Sequence, residues 1–323
     1  MKTVLVTGTG AIIGYGVLRA LRDVPNVRRI AADIFDHAVG KHFADDFVQA
    51  PLTSDPSYRA WLLDTVEQHN VDLIIPCIEQ DVAWFAEAAL SGPLPSVRVC
   101  LNDPLAIRLC ADKATFDTFL SDIASPLRIP TLHDGSFADL VARLGLPFLL
   151  KPRRGYASKG IVKISSEVDF HRQQSRLGSD VIAQRIVGND DEEFTVSAFC
   201  IKGNVSASIA LRRRLAADGS TARASRVSAE PFTRAISDLA AKLNLNGPSN
   251  FQFRIANGQL FLLEINPRIS SATSIRHAFG YNEAAMAVDY FLHGKSIDQP
   301  TLRSGSAIRY IEDVITYDTG TDF

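Results

Sequence analysis

The residues best suited to chemistry lie toward the C-terminal end, in Asn250-Phe251-Gln252-Phe253 and in Gln259-Leu260-Phe261-Leu262-Leu263-Glu264-Ile265-Asn266-Pro267-Arg268. Two apolar runs flank Ala256-Asn257-Gly258, and an Asn-Gly step between such runs predicts a β-hairpin. Glu264 and Asn266 are two apart on an extended segment, so both side chains point to one face. Hard oxygen ligands on one face are what Mg²⁺ requires when it also holds phosphates, which makes phosphoryl chemistry the leading expectation. A structural reading stands beside it, because a polar hairpin face is often the wet side of a sheet. Glu264 follows an apolar run, and a carboxylate buried there needs a cation, which Arg268 or a metal could supply. These residues alone leave both open.

The elements that position such a site must come from a chain of 323 residues, long enough for two or three packed units. A hydrophobic content of 46%, a charged content of 22% and a net charge of −2 describe an ordinary globular protein, with no global attraction to nucleic acid or to an anionic membrane. No apolar run reaches the ~18 residues that span a bilayer, and Thr3 to Val6 reads as a first strand rather than a signal peptide. Cys77, Cys100, Cys110 and Cys200 show neither CxxC spacing nor histidine partners at zinc-site distances, so reduced thiols and a cytoplasmic location are expected.

Strands and helices alternate through the first hundred residues, as in a small doubly wound parallel sheet. Gly8-Thr9-Gly10-Ala11-Ile12-Ile13-Gly14 follows the first strand and opens a helix, with Asp33 beyond it. The pattern approaches a dinucleotide fingerprint, but its spacing is GxGxxxG rather than GxGxxG. A nicotinamide cofactor, as in an NAD(P)-dependent oxidoreductase, is one reading of it; a turn that lets strand and helix pack closely is the other. No Tyr-xxx-Lys pair supports the oxidoreductase, since Tyr156 is followed by Lys159, one residue short.

Further along, Asp103-Pro104 opens a helix that runs into Ala111-Asp112-Lys113-Ala114-Thr115-Phe116. Pro147 to Pro152 reads as a strand, Ile161 to Ile164 as the next, and Arg153 to Gly160 as a small basic loop able to fold over phosphates. Val181 to Val187, Glu193 to Ile201 and Val205 to Leu211 read as strands, Pro231 to Leu243 as an amphipathic helix, and Ala278 to Leu292 as a final helix.

Together, the NFQF…LEINPR ending, the FLLKPRRGYASKGI strand-loop-strand and the ADKATF helix resemble the ATP-grasp ligases, most closely their carbamoyl-phosphate-synthetase-like branch. The resemblance implies an α/β protein: an ATP-grasp fold preceded by a small Rossmann-like pre-ATP-grasp parallel sheet domain. Its units would be 1–102, then linker helices and the small lobe over 103–185, then the large lobe with the metal site and a C-terminal tail over 186–323.

By the same resemblance, Lys113 and Lys151 hold the ATP phosphates, and Ser158, Lys159 and Gly160 close over them. Gln184 to Val187 form the hinge that meets adenine, through backbone groups of Arg185 and of Ile186 or Val187. Glu193 meets the ribose, although the extra acids Asp190 to Glu192 leave open whether Glu192 does so instead. Gln252, Glu264 and Asn266 hold Mg²⁺, or Mn²⁺ in its place; Gln252 is an amide where many relatives use an acid. Arg268 meets the transferred phosphate or the acyl phosphate. One or two of Arg212, Arg213, Arg214, Arg223 and Arg226 face the site. Gly10 and the stretch Cys77 to Asp81, at strand C-termini, are expected to contact substrate.

The function implied is that of an ATP- and Mg²⁺-dependent ligase. It phosphorylates a small-molecule carboxylate to an acyl phosphate and couples it to an amine, releasing ADP and phosphate. A single ATP-grasp unit without a Cys-His glutaminase arrangement disfavours carbamoyl phosphate synthesis. A non-catalytic ATP-binding regulator is the other alternative, and the resemblance allows a homodimer.

Overall fold

The computed structural model describes residues 1–92, 97–155, 159–216 and 219–316. Three sheets organise them.

The first sheet is parallel and contains β1 (Lys2–Thr7), β2 (Val27–Asp33), β3 (Asp46–Gln49), β4 (Leu73–Ile75) and β5 (Arg98–Val99), in the order β3-β2-β1-β4-β5. Three helices, α1 (Ile12–Leu21), α2 (Tyr58–His69) and α3 (Glu79–Ser91), make the crossovers. The strand order reverses between β1 and β4, which opens a crevice at their C-terminal ends. β3 was not anticipated: it is a short edge strand with no fully buried residue, too brief to show a period.

Gly14 explains the unusual glycine spacing. A Cβ there would lie 2.4 Å from the Gly8 carbonyl oxygen and 2.6 Å from Thr9 Cα, so only glycine lets α1 pack against the turn. Gly14→Ala should therefore cost about 1–3 kcal/mol through overpacking, read as a lower denaturation midpoint; an unchanged midpoint would refute that explanation.

Next come α4 (Pro104–Ala111), capped by the Asp103 side chain, and α5 (Lys113–Asp122), capped by Asp112. The second sheet is antiparallel: β6 (Thr131–Leu132), β7 (Phe148–Pro152), β8 (Val162–Ile164) and β9 (Val181–Arg185), in the order β6-β9-β7-β8. It packs on α6 (Phe137–Leu144) and α7 (Glu167–His171) through Leu140, Phe148, Phe170 and their neighbours.

The third sheet carries the chemistry. It contains β10 (Glu193–Ile201), β11 (Asn204–Leu215), β12 (Thr221–Val227), β13 (Gly247–Ala256), β14 (Gln259–Asn266) and β15 (Ser306–Ile308), in the order β14-β13-β10-β11-β12-β15, antiparallel throughout. α8 (Glu230–Lys242) covers one face, burying Phe232, Ile236 and Leu239 against Val196, Ala198, Phe251 and Phe253. The opposite face carries the polar residues.

The final helix departs from expectation. Instead of a helix starting at Ala278, the chain forms α9 (Thr273–Ala278), turns at Gly280 with φ +94° and starts α10 (Glu283–Ala287), which runs on as a π-helical turn over Val288–Leu292 and so ends at the expected residue. A Cβ on Gly280 would lie 2.6 Å from the Thr301 carbonyl oxygen, so only glycine fits this turn, and the Asn282 side chain caps α10 just beyond it. α9 and α10 share one apolar core with α1: Val17, Leu18 and Leu21 meet Ile275, Ala284 and Val288. The N-terminal unit and the large sheet are thereby one packed body. No helix among the described residues is long and apolar enough to cross a membrane.

Candidate active site

The polar face of the third sheet follows from strand alternation. Gln252 lies directly across from Glu264, and Asn250 from Asn266, in the β13–β14 ladder. Asn266 Nδ2 donates to Glu264 Oε1 at 3.0 Å, leaving Oδ1 of Asn266 and Oε2 of Glu264 without partners among the described residues. These two hard oxygens suit an Mg²⁺ that keeps phosphate and water as its other ligands. Gln252 differs: its Oε1 already accepts from Arg213 Nη2 at 2.6 Å, and to ligate a metal it would have to leave that guanidinium. No cluster of three or more His, Cys, Asp or Glu side chains converges as a metal centre among the described residues. The donor set therefore fits a metal that arrives on phosphate.

The open question of the cation beside Glu264 has a structural answer. Arg268 turns away: it pairs with Glu79 at the start of α3 and donates to the Ile269 carbonyl at 2.8 Å. Its side chain is 11% exposed, wedged between the N-terminal unit and the large sheet. The cations that do interact electrostatically with Glu264 are Lys151 and Arg213.

Lys151 and Lys113 come together through a specific device. Asp112 caps α5 and also pairs with Arg153, which follows Lys151 by two residues, at 3.0 Å. The Lys113 amide donates to the Arg153 carbonyl at 2.8 Å, and Lys113 Nζ to the Gly155 carbonyl at 3.2 Å. A lysine in the first turn of a helix opposes the helix dipole, and here a second ammonium is close by. Burial, then Lys113 and Arg254, lower the Lys151 pKa to about 8 against the opposing pull of Glu264 and Glu193. Two cations held at this cost are poised for an anion.

Two adjoining cavities of about 350 and 190 Å³ share Lys113, Lys151, Gln184 and Glu264 in their walls. The smaller is also lined by Arg185, Ile186, Val187, Glu193 and Gln252; Asn266 lines the larger. The structure thus gathers most of the residues singled out from the sequence. Gln184 Nε2 donates to Thr131 Oγ1 at 3.0 Å, which steadies the hinge. The Arg185 amide is spent on the Pro130 carbonyl, and its guanidinium binds the carbonyls of Leu144 and Arg143. Within the hinge, the amides of Ile186 and Val187 have no partner among the described residues. Gly160, at φ +74°, turns the chain beside Pro152, while its neighbours Lys159 and Ile161 line the smaller cavity. Ser158 lies outside the described residues.

Glu193 is the most heavily bonded of the candidates. Its Oε1 accepts from Arg213 and its Oε2 from Arg254, both at 2.9 Å, and the side chain is 5% exposed. Glu192 points elsewhere, accepting from Asn189 Nδ2 at 3.0 Å. Of the five arginines in the basic stretch, Arg213 is the one lining the cavity; Arg212 and Arg214, on the other face of β11, bind Asp191. Arg254 was not singled out from the sequence. The signal was present, since it follows Gln252 by two on the same strand and so shares its face.

Deeper under the same face, Arg276 and Glu283 form an ion pair at 3.0 Å with both side chains fully buried. Arg276 also donates to Asn250 Oδ1, and Glu283 accepts from Ser197 Oγ at 2.7 Å. At the N-terminal crevice, the Gly10 amide donates to Asp33 at 2.7 Å. A carboxylate of the chain itself thus occupies an amide that a dinucleotide phosphate would need, which disfavours the nicotinamide alternative.

Comparison with known proteins supports this architecture. Residues 189–314 match the profile of a family described as ATP-grasp in the biosynthetic pathway with Ter operon. The chain is 27% identical over 227 residues to the carbamoyl phosphate synthase large chain of Methanoregula boonei, covering 62% of this chain and 21% of that one. It therefore spans about a fifth of that relative's length. Among solved structures, N5-carboxyaminoimidazole synthetase from Staphylococcus aureus complexed with ADP superposes with a TM-score of 0.72 at 17% identity, over 93% of this chain and 80% of that one. An L-amino acid ligase from Bacillus licheniformis superposes with a TM-score of 0.66 at 16% identity, over 92% and 75%.

Proposed function

We propose that this chain, which has the ATP-grasp fold behind a parallel-sheet unit, is an ATP- and Mg²⁺-dependent carboxylate–amine ligase. The observation that carries the reading is the convergence of Lys113 and Lys151 on one cavity with Glu264 and the 184–187 hinge. Neighbours of the same fold include a synthetase solved with ADP and an amino acid ligase.

In this reading adenine lies at the hinge, against the amides of Ile186 and Val187. Glu193, already shared by Arg213 and Arg254, offers its remaining lone pairs to the ribose. The two lysines neutralise the phosphates. Bound Mg²⁺ or Mn²⁺, held by Glu264 and Asn266, would supply further charge stabilisation to the transferring phosphoryl group. A carboxylate oxygen of the substrate attacks the γ-phosphorus and ADP leaves. An amine nitrogen then attacks the acyl carbon, phosphate departs, and the nitrogen loses a proton to complete the amide. Arg268, oriented by Glu79, would meet the acyl phosphate. The chain contributes position and charge rather than covalent chemistry.

Calorimetry with ATP and Mg²⁺ tests the reading. Because Lys151 has a pKa near 8 before ATP binds, and the triphosphate raises it, binding takes up a proton around that pH. Affinity should be flat below pH 8 and fall about tenfold per pH unit above it. Lys151→Ala should abolish the pH dependence and weaken binding by about 10- to 150-fold, the loss of a charged hydrogen bond. Absence of any ATP uptake with Mg²⁺ present would end this assignment.

A further inference from the structure

The crevice at the β1–β4 switch is a separate chamber of about 410 Å³. Its floor holds two carboxylates, Asp33 and Asp81, with exposures of 7% and 5%. Asp33 is spent on the amides of Gly10 and Phe35, at 2.7 and 3.1 Å. Asp81 accepts from Thr7 Oγ1 through Oδ2 alone, and its Oδ1 has no partner among the described residues. Neither acid forms an ion pair among the described residues. Burial, reinforced by Asp33, pushes the Asp81 pKa up to about 6, the behaviour of a carboxylate without a cation.

A second observation is independent of the acids. Tyr58 is 2% exposed and lines the same chamber, yet its hydroxyl has no hydrogen-bond partner among the described residues. Leaving a buried hydroxyl unpaired is costly, and Asp81 is close enough to raise the phenol's pKa. The mouth of the chamber has the opposite character: Ile34, Phe35 and Leu52 line it and are exposed. Gln80 lines both this chamber and the phosphate cavity, so the two meet across one side chain.

We propose that this chamber binds a protonated amine carried on an apolar body, with the ammonium against Asp81 and the Tyr58 hydroxyl and the apolar part against Phe35 and Leu52. Resting on the ligase reading, the occupant is the cationic end of the amine-bearing substrate, whose reacting end passes Gln80 toward the phosphates. A carboxylate is excluded from this chamber by the two acids, which separates the two substrates by charge.

The experiment uses n-hexylammonium chloride as probe and tryptophan emission as readout, since the chain's two tryptophans, Trp61 and Trp84, both pack on the Tyr58 ring at centroid distances of 5.4 and 4.8 Å. The expected result is a saturable emission change with hexylammonium and none with n-hexanoate. Asp81→Asn should weaken the response about tenfold or more. Tyr58→Phe removes only an unpartnered hydroxyl, so it should fold normally and weaken binding severalfold. Equal responses to hexanoate or hexanol, or an unchanged response in both variants, would overturn the proposal. ATP calorimetry on the same samples separates the two readings. ATP uptake without amine selectivity refutes this chamber's role alone, and amine selectivity without ATP uptake refutes the ligase alone.

Discussion

Glu264→Ala should reduce Mg²⁺-dependent ADP formation by about a thousandfold or more, while the protein keeps its fold. Glu264 is the only carboxylate among the three residues proposed to face the metal, since Gln252 and Asn266 are amides. Removing it leaves two neutral oxygens, one already claimed by Arg213. Charge stabilisation by a metal is worth several kcal/mol in a transition state, and about 4 kcal/mol corresponds to a thousandfold in rate. The fold should survive because the one hydrogen bond Glu264 accepts comes from its own strand neighbour, Asn266. The measurement is ADP release in the presence of pooled amino acids and small carboxylates, paired with a thermal melt. Wild-type turnover by the variant would remove Glu264 from the metal site. Glu264→Asp, which keeps the charge but shortens its reach, should fall between the two.

Glu283→Ala should destabilise the protein by about 3–5 kcal/mol, the cost of leaving a buried charge alone. Arg276 loses its counter-ion in a place where both side chains are fully buried. Its remaining partners, Asn250 and Thr195, are neutral. A lowering of the melting temperature by about 4–7 °C is expected. Replacing both members with apolar residues, Arg276→Met with Glu283→Leu, should recover much of the loss, as removal of a whole buried pair often does. If the single variant melted like the parent, the pair would not be the isolated buried charge described above. Because Arg276 holds Asn250 and Asn250 faces Asn266 across the ladder, the double variant should also weaken ATP-Mg²⁺ binding at temperatures where it is folded.

Much of this architecture was legible from local pattern. Alternation put Glu264 and Asn266 on one face of β14, but a β-bulge, not the turn at Asn257-Gly258 alone, shifts the register by one residue between Phe253 and Gln252 and so brings Gln252 opposite Glu264. Asp103 read as a cap and is one, whereas Asp112, read as part of a continuing helix, caps α5. β3, β12 and β15 were less legible: β3 and β15 are short edge strands, and β12 carries polar and small residues whose strand character comes from its neighbours. The break between α9 and α10 had a local signal, Gly280 followed by the capping Asn282, whereas the Thr301 carbonyl that packs on Gly280 lies in no local window.

By itself, the amino-acid order determined the identity of the chemically able residues and which neighbours along a strand or helix share a face, because those follow from fixed local periods of two and 3.6. Pairings between residues far apart in the chain were decided by the tertiary structure alone. Arg268 could have neutralised Glu264, but packing of the N-terminal unit against the large sheet gave it Glu79 and left Glu264 to Lys151 and Arg213. Arg213 and Arg254 closed on Glu193, and Tyr58 was brought beside Asp81, for the same reason: a charge takes the partner that burial places nearest, and burial is a property of the whole fold.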